Sequence, residues 1–300
     1  MERKWKILFS ILMLCCLTVW LSVFTSKRNL HLIACDVGQG DATLIVYKKY
    51  DILIDGGPNN KVLGCLSKYM PFWDRTIEMV ILTHPQKDHY FGLIEVMANY
   101  KVDYFLANSI ESSSDDYQVL KNAVGSKPTR VVSPVLGNSY RLDLMYLDIL
   151  NPSHEFIAQN SLKNNESEGQ VLGTSTTTMD PNEFSIVFEL KFKDFTGILT
   201  GDLSPEKSNE IASLITNLGN KPVNYIKIPH HGSKNGLSEN LLRILQPQIA
   251  TISVGKNNSY GHPSPEILKM LSDQNVKTFR TDESGDIVIE TDGEKIWVNK

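Results

Sequence analysis

Four short stretches of this chain cluster histidine and aspartate, and each stands at the exit of an apolar, strand-like run. Thr83-His84-Pro85-Gln86-Lys87-Asp88-His89 follows Met79-Val80-Ile81-Leu82. Leu199-Thr200-Gly201-Asp202, Ile228-Pro229-His230-His231-Gly232-Ser233 and Tyr260-Gly261-His262-Pro263 come later. A tight turn opening a helix lets side chains at 84, 88 and 89 converge, which a straight strand would prevent. Taken singly, Asp202 reads as a turn former, the His230–His231 pair as an incidental loop and His262 as part of a capped loop. Four such motifs at strand exits instead predict one site assembled at one edge of a layered sheet. Imidazole and carboxylate are the ligands that zinc, manganese or iron takes.

The remaining pattern agrees with that architecture. Strand-like runs at Leu30–Val37, Ala42–Lys48 and Asp51–Asp55 are punctuated by Gly38, Gly40 and Gly56–Gly57. Helix-like and strand-like segments then alternate: helices near Lys61–Met70, His89–Tyr100, Pro205–Leu218, Leu237–Leu245 and Pro265–Leu271, with strands between and after them. Mixed elements over this length predict an α/β (α+β) layered fold. The segment Asn151–Pro181 is rich in Asn, Ser, Thr and Glu with little apolar periodicity, and predicts a solvated loop or partly disordered insertion.

Ile7 to Phe24 is uncharged and almost wholly apolar, near the ~20 residues that a helix needs to cross a bilayer. Arg3, Lys4 and Lys6 precede it, and Lys27 and Arg28 follow. The sequence therefore predicts a membrane anchor over residues 1–28 and one further domain over residues 29–300. The chain would be single-pass in the cytoplasmic membrane, with its domain outside. Secretion after signal cleavage is the competing reading, but no small-x-small pattern follows Trp20. Of four cysteines, only Cys35 and Cys65 lie beyond the apolar run. Buried free thiols are the expectation there, with a disulfide as the alternative. No paired-cysteine finger spacing occurs, so any metal falls to His and carboxylate. The formal net charge of −4 gives no global basic field, which argues against tight nucleic-acid binding. It leaves room for an enzyme that holds a phosphodiester through metals.

Asp36-Val37-Gly38-Gln39-Gly40-Asp41-Ala42, Leu53-Ile54-Asp55-Gly56-Gly57 and the four motifs appear in that order. Together they resemble the metallo-β-lactamase-type hydrolase domain of the ComEC competence family, from about Leu30 to Glu290. They are also similar to choline-phosphate esterases of cell-wall teichoic acid. The resemblance implies an αββα sandwich and one or two zinc or manganese ions. It implies His84 and Gln86 at a first metal position and Asp88, His89 and the His230–His231 pair at a second, with Asp202 bridging. His230 is the favoured ligand and His231 its neighbour or a substrate contact. His262 is implied as a proton donor or phosphate contact, with Asp88 orienting water. Ser233, Asn257 and Tyr260 are candidate substrate contacts, and Asp36, Asp41 and Asp55 orient the ligands. Two departures stand out. Position 86 is Gln where the superfamily has His, and residues 1–300 carry one apolar segment in place of the many membrane helices of the ComEC channel, so the expectation is a hydrolase rather than a DNA pore.

The expected activity is metal-dependent phosphodiester hydrolysis on nucleic acid or a wall polymer. Another ester or lactone is the alternative substrate, and a catalytically weak, membrane-tethered binding module the alternative of a different class.

Overall fold

The computed structural model describes residues 2–24, 29–163, 172–219 and 222–299, with no side chains described for residues 2–3 and 19–24. An eight-stranded sheet has the spatial order Ile296–Asn299, Ile287–Thr291, Leu30–Ala34, Thr43–Tyr47, Tyr50–Ile54, Thr76–Leu82, Lys101–Ala107, Arg130–Val132. A seven-stranded sheet runs Lys277–Arg280, Ile249–Ile252, Tyr225–Lys227, Phe195–Leu199, Val187–Phe192, Met145–Asn151, Ser139–Leu142.

Side-chain alternation along the strands explains how these sheets stack. In Thr43–Tyr47, Ile45 and Tyr47 face one way and Leu44 and Val46 the other. Ile45 and Tyr47 meet Phe188, Leu190 and Phe192 of the second sheet, forming the central apolar layer. Leu44 and Val46 instead pack with Leu66, Leu93 and Leu120, from the helices Lys61–Tyr69, Lys87–Asn99 and Asp115–Gly125. On the far side, Ile198, Ile226 and Ala250 pack with Ile211, Leu242 and Ile267, from the helices Pro205–Asn217, Glu239–Leu245 and Pro265–Asp273. Three apolar layers between four structural layers make an αββα sandwich.

The sequence reading left the stretch between residues 107 and 140 without a helix. Ser114 at the N-cap, followed by buried Tyr117, Leu120 and Val124, is the helical signal it lacked. The expected loop Asn151–Pro181 instead holds the helix His154–Asn160 and a small two-stranded sheet of Leu162–Lys163 with Ser175–Thr176; residues 164–171 lie outside the described residues. Cys35 and Cys65 form a disulfide rather than the expected pair of free thiols. Cys35, just past the strand Leu30–Ala34, and Cys65, in the helix Lys61–Tyr69, lie in the same apolar layer, which brings the two sulfurs within bonding reach.

Glu2–Phe24 is a single helix, and the side chains described along it are exposed. Among the described residues no helix is long and apolar enough to cross a membrane. The end of the expected span, residues 19–24, has no described side chains.

Candidate metal centre

Tyr50–Ile54 runs parallel to Thr76–Leu82, and Phe195–Leu199 runs parallel to Tyr225–Lys227, so the C-terminal ends within each pair lie side by side. Asp55, the Thr83–His89 segment, Asp202 and the His230–His231 turn follow those ends. The turn between Leu30–Ala34 and Thr43–Tyr47 adds Asp41, whose N–H donates to the Asp88 carbonyl at 3.1 Å. Gly40 permits this approach, because a Cβ there would run into that same carbonyl.

Three buried imidazoles have Nδ1 committed. His89 Nδ1 lies 2.8 Å from Asp55 Oδ2. Thr83 spends its hydroxyl proton on Asp55 Oδ2, also at 2.8 Å, and so accepts from His84 Nδ1 at 3.0 Å. His231 Nδ1 donates to the Ser253 carbonyl at 2.9 Å. These partners fix the tautomer in which each Nε2 carries a lone pair. Among the described residues, His84 Nε2 and His89 Nε2 are buried without a hydrogen-bond partner. His89 Nε2 and His231 Nε2 stand 3.3 and 3.4 Å from Asp202 Oδ2, and His231 Nε2 is 3.1 Å from Asp88 Oδ2. Lone pairs facing carboxylate oxygens in a dry pocket repel unless a proton or a metal cation lies between them.

The charge balance points the same way. Asp41, Asp55 and Asp202 are buried and Asp88 is half-buried, and the buried ammonium paired with this set is Lys227. Lys227 pairs with Asp41 and lies 3.3 Å from Asp202 Oδ1, which also accepts from the His230 N–H at 3.2 Å. Asp202 therefore has Oδ2 left to offer. With protons as the only cations, burial pushes His89 down, but Asp202 and Asp55 on either side outweigh it and hold the ring protonated. His231 is likewise raised: burial opposes this, and Asp202, Asp41 and Asp88 overcome it. Burial, reinforced by the neighbouring His89, pushes His84 down to about 3. Burial also lifts Asp202, yet His89, His231 and Lys227 pull it well below the usual carboxylate range. Asp41, His89, Asp202 and His231 can each present a ligand atom within 4.8 Å of the others. Asp41 approaches both rings from the Nδ1 side, at 3.9 Å from His89 and 3.7 Å from His231, where Lys227 already neutralises it. The Nε2 side, with Asp202 Oδ2 and Asp88, is where the residues fit a metal ion.

The remaining candidates fall around this cluster. Of the adjacent histidines, His231 enters it. The His230 ring is half-buried, 6.4 Å from His231 and 6.1 Å from His262 between centroids. The turn explains the choice: His230, His231 and Gly232 take successive positive φ angles of 52°, 53° and 78°, which swings the two rings apart. A Cβ at Gly232 would sit 2.6 Å from Pro263 Cβ, so glycine closes this turn. Left-handed backbone at two histidines is costly and is found where a site demands it. The Gln86 side chain turns towards Asp180 Oδ1, 3.4 Å away, while its backbone carbonyl accepts from the His89 N–H at 3.0 Å. Ser233 is buried, its hydroxyl accepting from Asn235 N–H at 3.2 Å. Asp36 accepts from Gly38 N–H at 3.2 Å and thus shapes its own turn. Asn257 is exposed; its neighbour Asn258 organises the loop, donating to the His262 carbonyl at 2.7 Å and accepting from its N–H at 3.0 Å. Tyr260 is 69% exposed and stacks on His262 at 5.9 Å. Burial, His231 and His230 push His262 down, so it is neutral at neutral pH. The sequence reading missed Lys227, Thr83 and Asn258. Lys227 carried a signal, a lysine inside an otherwise apolar strand.

A sandwich with a His/Asp centre at the strand ends defines a class. The family model for the metallo-beta-lactamase superfamily matches residues 35–256, and the chain belongs to that superfamily, typically metal-dependent hydrolases. The ComEC resemblance is confirmed by curated relatives. ComE operon protein 3 of Bacillus subtilis is 25% identical over 91% of this chain and 35% of that protein. Recombination protein 2 of Haemophilus influenzae is 25% identical over 88% of this chain and 29% of that protein. The chain thus spans about a third of these relatives. Among solved structures, the metallo-beta-lactamase fold protein YhfI from Bacillus subtilis aligns with a TM-score of 0.55 at 11% identity, covering 88% of this chain and 100% of that one. CmlA, a diiron beta-hydroxylase from Streptomyces venezuelae, aligns with a TM-score of 0.54 at 13% identity, covering 89% of this chain and 55% of that one. Both likenesses concern the fold.

Proposed function

We propose that this chain hydrolyses phosphodiesters, nucleic acid foremost and wall polymer second, outside the cytoplasmic membrane. The observation that carries the hydrolase reading is the set of buried Nε2 lone pairs around Asp202 Oδ2, each held in place from its Nδ1 side. His89, His231, Asp202 and Asp88 would hold a metal ion, with His84 beside them. A divalent ion bound there supplies Lewis acidity and lowers the pKa of water. Lys227 and the His230 N–H fix Asp202 Oδ1, so the carboxylate does not rotate. Asp88 is 34% exposed, the carboxylate of the set that is open to an incoming water and able to orient it. Neutral His262 meets a substrate as an N–H donor to a phosphoryl oxygen or as a proton acceptor, and the exposed Tyr260 ring beside it offers a stacking face. The names of the relatives, a ComE operon protein and a recombination protein, support nucleic acid as the substrate.

The Cys35–Cys65 disulfide supports an oxidising, extracytoplasmic location. The uncharged run Ile7 to Phe24 supports the reading of residues 1–28 as an anchor beside a domain of residues 29–300. The test is a screen of the purified chain, reloaded with zinc or manganese, on bis-p-nitrophenyl phosphate, single-stranded DNA and an acyl lactone. Turnover of the lactone alone would remove the phosphodiester assignment while keeping the hydrolase. Tight metal binding with no turnover of any substrate would leave the binding-module reading.

A further inference from the structure

At the end of the domain opposite the metal centre, Phe72 and Trp73 are 81% and 59% exposed. They are ordered against one another, edge to face at 4.8 Å. They sit in the loop that enters the strand Thr76–Leu82, whose other end leads to His84. We propose that this aromatic pair docks on a lipid bilayer surface and holds the metal centre facing away from it.

Strand register places the pair beside the start of the domain. Leu30 opens a strand antiparallel to Thr43–Tyr47, which pairs antiparallel with Tyr50–Ile54, which in turn runs parallel to Thr76–Leu82. Leu30, Tyr47, Tyr50 and Thr76 therefore share one end of the sheet, with Leu30 three strand spacings, about 14 Å, from the Phe72–Trp73 loop. The chain from Phe24 to Leu30 spans at most roughly 20 Å. A membrane-held N-terminal helix keeps this end of the sheet within that distance of the bilayer. Tryptophan and phenylalanine are residues that settle at the water–hydrocarbon boundary. Two carboxylates at this end are paired, Asp143 with Lys48 at 2.7 Å and Asp103 with Lys101 at 2.7 Å, which limits repulsion from anionic headgroups, while Asp74 beside Trp73 turns to its own loop and accepts from the Thr76 N–H at 3.0 Å. The strand Thr76–Leu82 then sets the metal centre about 23 Å away, open to a polymer approaching from solution.

This inference rests on the anchor reading, and the experiment separates the two. The full chain carrying Trp5→Phe, Trp20→Phe and Trp297→Phe keeps Trp73 as its one tryptophan. It is reconstituted into phosphatidylcholine–phosphatidylglycerol vesicles and floated. Docking predicts that it floats, that Trp73 emission shifts to the blue, and that brominated lipid quenches it while acrylamide does not. A floating chain whose Trp73 is quenched by acrylamide and untouched by brominated lipid overturns the docking and keeps the anchor. A chain that does not float overturns both. Hydrogen exchange on the unsubstituted full chain, in vesicles against detergent, is the independent measurement. Protection of residues 70–75 by vesicles is expected, and equal exchange in the two media overturns the docking even if the triple variant fails to fold.

Discussion

Asp55 Oδ2 accepts from both His89 Nδ1 and the Thr83 hydroxyl, each at 2.8 Å. Thr83 passes that constraint to His84, so one carboxylate sets the tautomer of two histidines. Asp55 achieves this with a positive φ of 59° and a nearly inaccessible side chain. Burial pushes its pKa up, opposed by His89 and by the Thr83 N–H.

Asp55→Asn should weaken metal binding by roughly 10- to 100-fold with the fold retained, because an amide oxygen replaces a charge that oriented both rings. Competition against a chromogenic chelator measures this, with circular dichroism as the folding control. Unchanged affinity would show that the rings are held by packing alone.

The two adjacent histidines should behave differently. His231→Ala removes an Nε2 that faces Asp202 and Asp88, and should release bound metal. His230→Ala removes a ring outside the cluster while its N–H still serves Asp202, and should keep metal but slow turnover. Elemental analysis after dialysis, beside activity on bis-p-nitrophenyl phosphate, reads both. Metal loss in the His230 variant alone would reverse the assignment.

Asp286 makes stability depend on pH. Its carboxylate accepts from Asp36 N–H at 2.9 Å, pairs with Lys68 at 2.9 Å and accepts from Tyr69 at 3.2 Å, bracing the Asp36–Asp41 turn. Burial pushes it up, but the Asp36 N–H and Lys68 outweigh this and hold it below the usual carboxylate range. A depressed folded pKa contributes stability that is present above the unfolded value and lost as pH falls through the folded one. Asp286→Asn should therefore lower Tm by roughly 2–4 °C at pH 7, a gap that closes below about pH 4. A gap independent of pH would assign the effect to packing.

The Cys35–Cys65 disulfide closes a 30-residue separation, for which chain entropy suggests about 3–4 kcal/mol. Reductant, or Cys65→Ser, should lower the melting temperature of the purified chain by several degrees. Thiol counting under denaturing conditions, with and without reductant, verifies the bond. A melt indifferent to reductant would mean that the disulfide adds no stability.

The sequence by itself determined the layered class of fold and the strand exits that carry the site. Both follow from local rules: apolar alternation defines a strand, and Gly, His and Asp after it define a turn. It also held the ordered motifs that carried the resemblance, most of them inside residues 35–256 where the family model matches. Tertiary structure decided which side chains meet. His230 and His231 are equivalent as neighbours in sequence; a left-handed turn closed on Gly232 sends His231 inward and His230 out. Lys227 stands out in the sequence as a lysine in an apolar strand, but that it is buried and paired with Asp41 and Asp202 follows only from the packing of its strand between two buried layers. Cys35 and Cys65 sit in different elements, and their pairing depended on which helix packs over which strand. Each of these is a long-range contact, fixed by packing between segments that share no local pattern.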